Sequence, residues 1–385
     1  MKKRVLALAL ISAVSSVTAQ EIQNPLIEKL YEKGVLTKEE AINLDKKVKK
    51  EGVVSTKDKK LKFEGLAYIG YTYKDVKGGK DEGYFEIRRG YYITKFYFNK
   101  KDYVRFTLDV TAHNHKDNPN EGKELNVKLK HLYLYKDISS FVPYTGFEIG
   151  LVHTPWLDYE EHSGWWQRSI SKTFFESSDG AHLLPSADTG IDFKTKTEYV
   201  SAEYGVFDGE GYDHYKRKDK GNAPNQPMID GRLTWHVLGG GTKKPKPLSQ
   251  TYANVSIHAL DNYNYRGSHD DLTVVQLHAV YNQPLFLIAG QYIHSDWYSK
   301  AEQTGNGFSV NFEIRPLLEH KLSLFGRYDF WNSDNNNYDR KQYIYGVAWH
   351  MNKHVTWLVN GIKVDYKNND SKDYNKYMVT AEVHF

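Results

Sequence analysis

The chain closes on Tyr377-Met378-Val379-Thr380-Ala381-Glu382-Val383-His384-Phe385. Apolar residues occupy 377, 379, 381, 383 and 385, with residues that can face water between them, and only Met378 is out of step. Successive side chains of a strand point to opposite faces, so a period of two describes a strand with one greasy and one wet face. The alternation recurs upstream. Val104, Phe106, Leu108 and Val110 flank Arg105, Thr107 and Asp109, and Phe308, Val310, Phe312 and Ile314 flank Ser309, Asn311, Glu313 and Arg315. Leu322, Leu324, Gly326 and Tyr328 flank Ser323, Phe325 and Arg327, and Ile229, Leu233, Trp235 and Val237 flank Asp230, Arg232, Thr234 and His236.

Sixteen such runs follow from Phe63: 63–74, 84–98, 101–112, 124–136, 144–155, 189–197, 199–207, 228–238, 250–261, 271–282, 284–295, 306–316, 320–332, 340–351, 353–366 and 375–385. Their connections alternate in length. Asn99-Lys100, Lys196-Thr197-Glu198, Asn282-Gln283-Pro284, Pro316 to His320 and Met351-Asn352-Lys353 are short. His113–Glu121, Pro155–Asp188, Asp208–Pro227, Asp261–Asp270, Ser295–Gly305, Ser333–Asp339 and Lys367–Tyr374 are longer and polar. An even number of antiparallel strands with short turns on one side and long loops on the other is the plan of a membrane barrel, and a soluble sandwich has no reason to sort its loops this way. The exception is Gly239 to Ser249, a long Pro/Lys-rich connection on the short side. Sixteen strands enclose an aqueous lumen, whereas eight fill with side chains.

Composition fits. Mean hydropathy is −0.66, yet the chain holds 30 Tyr, 17 Phe and 8 Trp. A strand half in lipid needs only every second residue apolar, and Tyr and Trp suit the interfacial girdles. The chain has no Cys, which excludes disulfides and thiol chemistry. Lys2, Lys3 and Arg4, the apolar run Val5 to Ala13 and the small-x-small Val17-Thr18-Ala19 read as a cleaved export signal, too short to span a membrane. Removing those three cations from 52 basic and 48 acidic residues leaves +1. Residues 20–62 hold 11 Lys against 8 acidic residues, so the part from Phe63 carries 38 basic and 40 acidic residues, or −2. No nucleic-acid partner is indicated. Within 20–62, Pro25 opens a helix with Leu26, Ile27, Leu30 and Tyr31 on one side, and Gly34 stops it. Thr37-Lys38-Glu39-Glu40 is a capping box ahead of a second helix ending by Gly52, and Lys57 to Lys62 reads as a basic link.

An aromatic residue at the very C-terminus of an alternating strand resembles the terminal signature of bacterial outer-membrane β-barrels. Two further segments resemble the phosphate-selective porin O and P family. One is Phe85-Glu86-Ile87-Arg88-Arg89-Gly90-Tyr91-Tyr92, leading into Tyr103 to Val110. The other is Phe147-Glu148-Ile149-Gly150-Leu151-Val152-His153-Thr154-Pro155-Trp156. The resemblance implies a 16-stranded, trimeric porin whose third external loop, Pro155–Asp188, narrows the lumen. Selective members use inward ladders of Arg and Lys. This barrel mixes Arg105 with Asp109, Glu313 with Arg315 and Arg327 with Asp329.

Residues expected to line the pore are Arg88, Arg105, Asp109, Lys128, Lys130, Glu148, Arg232, Glu313, Arg315 and Arg327. Those expected at the constriction are Glu160, Glu161, His162, Arg168 and Lys172. Opposed acidic and basic groups across a narrow passage orient polar solutes by a transverse field. Arg88 and Arg89 are adjacent, so one is expected in the lumen and the other interfacial, at a bulge or between subunits. Sixteen His invite a metal reading, but His113, His115, Asp117, His236, His258 and His278 form no ligand pattern, and pH-dependent lumen charge is the simpler expectation. No Gly-x-Ser-x-Gly or His-Glu-x-x-His motif occurs, so no enzyme is expected.

The expected architecture is all-β: a signal peptide at 1–19, a periplasmic helical hairpin and linker at 20–62, and a 16-stranded antiparallel transmembrane β-barrel at 63–385. The expected function is passive diffusion of ions and small hydrophilic solutes through the outer membrane. A channel specific for phosphate or another small anion is the alternative, and a hydrolase or adhesin a weaker one. No cofactor is expected. The expected partners are outer-membrane lipid, lipopolysaccharide, the barrel-assembly machinery and two further copies of the chain.

Overall fold

A computed structural model describes residues 24–51, 53–56, 59–114, 123–212, 227–263, 265, 270–317 and 321–385. The export-signal reading, and His115 and Asp117, lie outside these residues. The chain divides into two units, Met1–Lys62 and Phe63–Phe385.

In the first unit, helix α1 is Pro25–Glu32 and α2 is Lys38–Glu51. Asn24 caps α1, its side chain accepting from the backbone N–H groups of Leu26 and Ile27. The capping box forms: Glu40 accepts from the Thr37 N–H at 2.9 Å, and Thr37 Oγ1 from the Glu40 N–H at 3.3 Å. Lys59 to Lys62, read from sequence as a link, instead pairs antiparallel with β1, Val53–Thr56.

The second unit is a closed antiparallel barrel of sixteen strands. In order these are β2 Lys59–Val76, β3 Glu82–Tyr97, β4 Tyr103–Asn114, β5 Lys123–Asp137, β6 Thr145–His153, β7 Ala187–Lys196, β8 Val200–Phe207 and β9 Met228–His236. Then come β10 Tyr252–Asn262, β11 Leu272–Gln283, β12 Phe286–Asp296, β13 Gly305–Leu317, β14 Leu322–Ser333, β15 Arg340–His350, β16 Val355–Tyr366 and β17 Tyr374–His384. Each of the sixteen runs read from sequence is one of these strands. Closure comes from β17 against β2, with Tyr377 opposite Tyr73, Val379 opposite Tyr71 and Ala381 opposite Ile69. Closing the sheet leaves no unpaired edge, the condition for strands to cross hydrocarbon.

The outward face is the apolar one: Tyr377 and Val379 are 48% and 44% exposed. Met378, the residue out of step, points inward and is 2% exposed, in a cluster with Trp165, Ile170, Phe325 and Ile362. Its partners explain the exception, because a loop segment inside the barrel needs an apolar seat. Phase shifts interrupt the alternation in β3 and β5. In β3, Ile87 and Tyr92 face out while both Arg88 and Arg89 carry lumenal contacts. In β5, Lys130 and His131 are both buried between outward Leu129 and Leu132, where the register with β4 slips between Thr107 and Leu108. An extra residue in one strand of a pair turns two neighbours to the same side.

Candidate functional site

Between β6 and β7, residues 154–186 fold back into the lumen. A short helix, α3, Leu157–Ser163, begins the excursion. The loop is held by apolar burial first. Trp156, Leu157, Phe174, Phe175, Leu183 and Leu184 pack on inward Phe207, Leu260, Val274, Ile293 and Trp331. Trp165 and Ile170 seat on the inner faces of β14 to β17. Large buried side chains of this kind contribute roughly 1.5–3 kcal/mol each.

Polar anchors then set the path. Arg232 donates to the Pro155 carbonyl at 2.8 Å, and its guanidinium lies 4.3 Å from the Tyr159 ring centroid. The Tyr252 hydroxyl donates to the Ser163 carbonyl at 2.8 Å. Arg327 donates to the Lys172 carbonyl at 2.8 Å, and its guanidinium carbon is 4.5 Å from the Trp165 ring centroid. Tyr374 donates to Asp179 at 2.7 Å, and Arg340 donates to the Gly180 carbonyl at 2.9 Å. The loop therefore hugs β9 to β17 and leaves space toward β2 to β6.

This placement sorts the residues read from sequence. Arg232, Glu313, Arg315 and Arg327 are on the inner face but buried, tied to the loop, to a turn or to one another. Glu148 is buried in a chain of polar contacts running Arg105, His153, Glu148, Lys194, Glu203 and Arg232, with successive distances of 3.0, 3.2, 3.3, 2.7 and 2.9 Å. Lys128 faces inward opposite Asp109 in the register. Asp109 is buried, 3.6 Å from Arg89. His258 and His278 lie beneath the loop against Trp156, and His236 bonds Ser201 and Asn254. Among the described residues no group of three or more His, Asp or Glu is arranged to hold a metal.

The open side is a cavity of 410 Å³. One wall is Tyr91, Lys95, Arg105, Lys130 and His131, and the other is loop residues Asp158, Glu161, His162, Trp166 and Arg168. Lys130 donates to the Tyr91 hydroxyl at 3.1 Å. On the loop, Arg168 pairs with Glu161 and, at 2.7 Å, with Glu176, and Lys172 reaches Glu176 at 2.8 Å. Burial pushes the Glu176 carboxyl up, but Arg168 and Lys172 more than offset this and hold it well below the usual range. Glu160 is different. It points away from the cavity, accepting from the Trp156 indole and the Gln291 amide, and burial pushes it up to about 7. A further cavity of 220 Å³ is lined by Arg88, Arg89, Arg168, Lys172, Lys376 and Asp179. Arg88 donates to the Ser169 carbonyl. Arg89, Lys95, His131 and Lys376 were not singled out as pore residues by sequence. Alternation alone places Arg89 or His131 outward, and only the phase shifts bring them in.

No protein-family model matches the chain, and no curated protein does. Solved structures do. The barrel is similar to the anion-selective porin from Comamonas acidovorans, with TM-score 0.60 and 11% identity over 85% of this chain and 100% of that one. It is similar to the outer membrane channel DcaP of Acinetobacter baumannii, with TM-score 0.56 and 12% identity over 86% and 99%. A trimer form of OmpT, an outer membrane protein of Vibrio cholerae, matches with TM-score 0.51 and 11% identity over 85% and 99%. At such identities the likeness is one of fold.

Proposed function

We propose that this chain is an outer-membrane porin carrying ions and small hydrophilic solutes by passive diffusion. The observation that carries this is the loop-narrowed lumen: a closed sixteen-stranded barrel whose inward loop leaves a charged cavity between the loop and β2 to β6. The fold shared with a porin and an outer-membrane channel supports the same reading. The short-turn rim, where β17 ends, is then periplasmic, and the long-loop rim external. Export by a cleaved signal at 1–19, a periplasmic role for 20–62, contacts with lipopolysaccharide and the barrel-assembly machinery, and a homotrimer belong to this proposal. The trimer draws support from the trimeric form of one structural neighbour. Membership of the phosphate-selective porin O and P family rests on the segments 85–92 and 147–156.

A second reading has its own observation. Arg88, Arg89, Arg168, Lys172 and Lys376 converge on the 220 Å³ cavity with Asp179 and Glu176 nearby. This favours a channel that prefers small anions, phosphate among them. Purified protein in a planar bilayer tests both. Large steps that rise linearly with salt support the general porin, and saturable conductance blocked by phosphate supports the specific channel. A folded protein that conducts nothing overturns both.

A further inference from the structure

The turn between β9 and β10, residues 237–251, is the one connection on the short-turn rim whose length broke the sorting. It contains Lys243, Lys244 and Lys246 and no acidic residue. Rim turns ordinarily leave the barrel; this one enters it. Gly239 and Gly240 have φ of +76° and +85°, a left-handed pair that reverses the chain inward. A Cβ at Gly241 would collide with the Thr197 carbonyl oxygen and the His236 ring, so the reversal passes tight against the wall. Glu198 accepts from the Gly240 N–H. Asn282 on β11 donates to the Pro247 carbonyl at 3.0 Å, and Arg315 on β13 donates to the same carbonyl at 3.1 Å. The turn thus reaches β13, three strands from β10.

Its far side meets the loop. Lys244 and Pro245, with Asp158 and His162 of α3, line two cavities at once, each of 410 Å³. One opens toward β3 to β6; the other, with Lys196, Glu203 and Arg232, lies against β7 to β10. Turn and helix together divide the space below the loop. Burial pushes the Asp158 carboxyl up, but His162, His153 and Lys244 hold it well below the usual range, so Lys244 lies close enough to act on it. Lys244 faces Asp158, while Lys243 and Lys246 are exposed and have no ion-pair partner among the described residues, so the turn presents a net positive charge to the solution.

We infer that residues 237–251 form a second narrowing in series with the inward loop, a lysine-bearing divider that draws small anions to the short-turn mouth and makes conduction asymmetric. The inference rests on the porin reading. Arg315, fully buried, then has a stated role: it holds the divider in place. A charge fixed at one mouth raises local counter-ion concentration there and there alone, so current differs between the two voltage polarities.

The test uses the whole chain in planar bilayers at about 0.1 M salt, where the screening length is near 10 Å. Wild type is expected to rectify. Lys243→Glu, Lys244→Glu and Lys246→Glu together are expected to reverse that rectification and move the reversal potential toward cations. Because the chain has no cysteine, Lys244→Cys gives a cleaner arm. A cationic thiosulfonate added from the short-turn side is expected to restore wild-type current, an anionic one to reverse its asymmetry, and the same reagents from the other side to act more slowly. Wild-type conductance with rectification unchanged in the triple variant, or a Lys244→Cys variant whose thiol is inert from the short-turn side, overturns the divider and leaves the porin reading intact. A wild-type barrel that does not conduct overturns both.

Discussion

The indole N–H of Trp166 donates to the Glu313 carboxylate at 2.6 Å, joining the inward loop to strand β13 across 147 residues of sequence. The same ring stacks on His350, with centroids 5.6 Å apart and planes 14° from parallel. Beside it, Trp165 is buried against Phe325 and under Arg327. These contacts hold the loop against one side of the barrel interior.

Replacing both Trp165 and Trp166 by Ala is therefore expected to unseat the loop. Buried Trp→Ala changes cost about 3–5 kcal/mol, and Glu313 keeps Arg315 as partner, so the barrel survives. Single-channel conductance is expected to rise severalfold with the CD spectrum unchanged. Equal conductance in variant and wild type would show that the loop does not limit the passage.

Charge on the loop is expected to set selectivity. Arg168 is balanced by Glu161 and Glu176, and Glu176 also has Lys172. Arg168→Gln frees acidic charge at the cavity and should move the reversal potential toward cations, while Glu161→Gln should move it toward anions. Both shifts should shrink at 1 M salt, where the screening length is about 3 Å. Shifts of the same sign in the two variants would contradict the assignment.

Glu160 is expected to make loop seating pH-dependent. Its carboxyl sits at about 7 in the folded loop against an ordinary 4.5. A raised carboxyl pKa means the seated loop binds the proton more tightly than the unseated one. Seating is then strongest below about 4.5 and weakens as pH rises through about 7. Protease nicking of the loop, or conductance noise, should increase between pH 5 and 8 in wild type. Glu160→Gln, which keeps the shape and cannot ionise, should flatten that dependence; an unchanged profile in this variant would assign the effect to another group.

The C-terminal residue closes the ring. Phe385 N–H donates to the Gly65 carbonyl at 3.0 Å and the Gly65 N–H returns to Phe385 at 2.6 Å, with the ring over Gly65 where a Cβ would collide. Deleting Phe385 is expected to cut the yield of heat-modifiable barrel several-fold while export continues. Normal yield would mean that the β17–β2 seam does not depend on its last rung.

Sequence alone determined the strands, their number and the sorting of connections, because a period-two pattern is a local consequence of placing each strand between lipid and water. The capping box at Thr37 and Glu40 was legible for the same reason, four residues sufficing to make it. What alternation could not supply was anything that depends on a slipped rung or a distant partner. Arg88 with Arg89, and Lys130 with His131, share a face only because the alternation changes phase between them, in the second case at a register slip against β4. Met378 looked like an error until Trp165 and Ile170 were found seated on it. Arg327 read as a pore-lining charge, yet lies buried against the loop, and Glu160 of the loop points away from the cavity, since inward-facing is a property of one strand and water-facing is a property of what covers it. The tertiary structure alone decided which inward residues line the remaining cavity, because a loop that buries its tryptophans against one wall leaves its free space against the other.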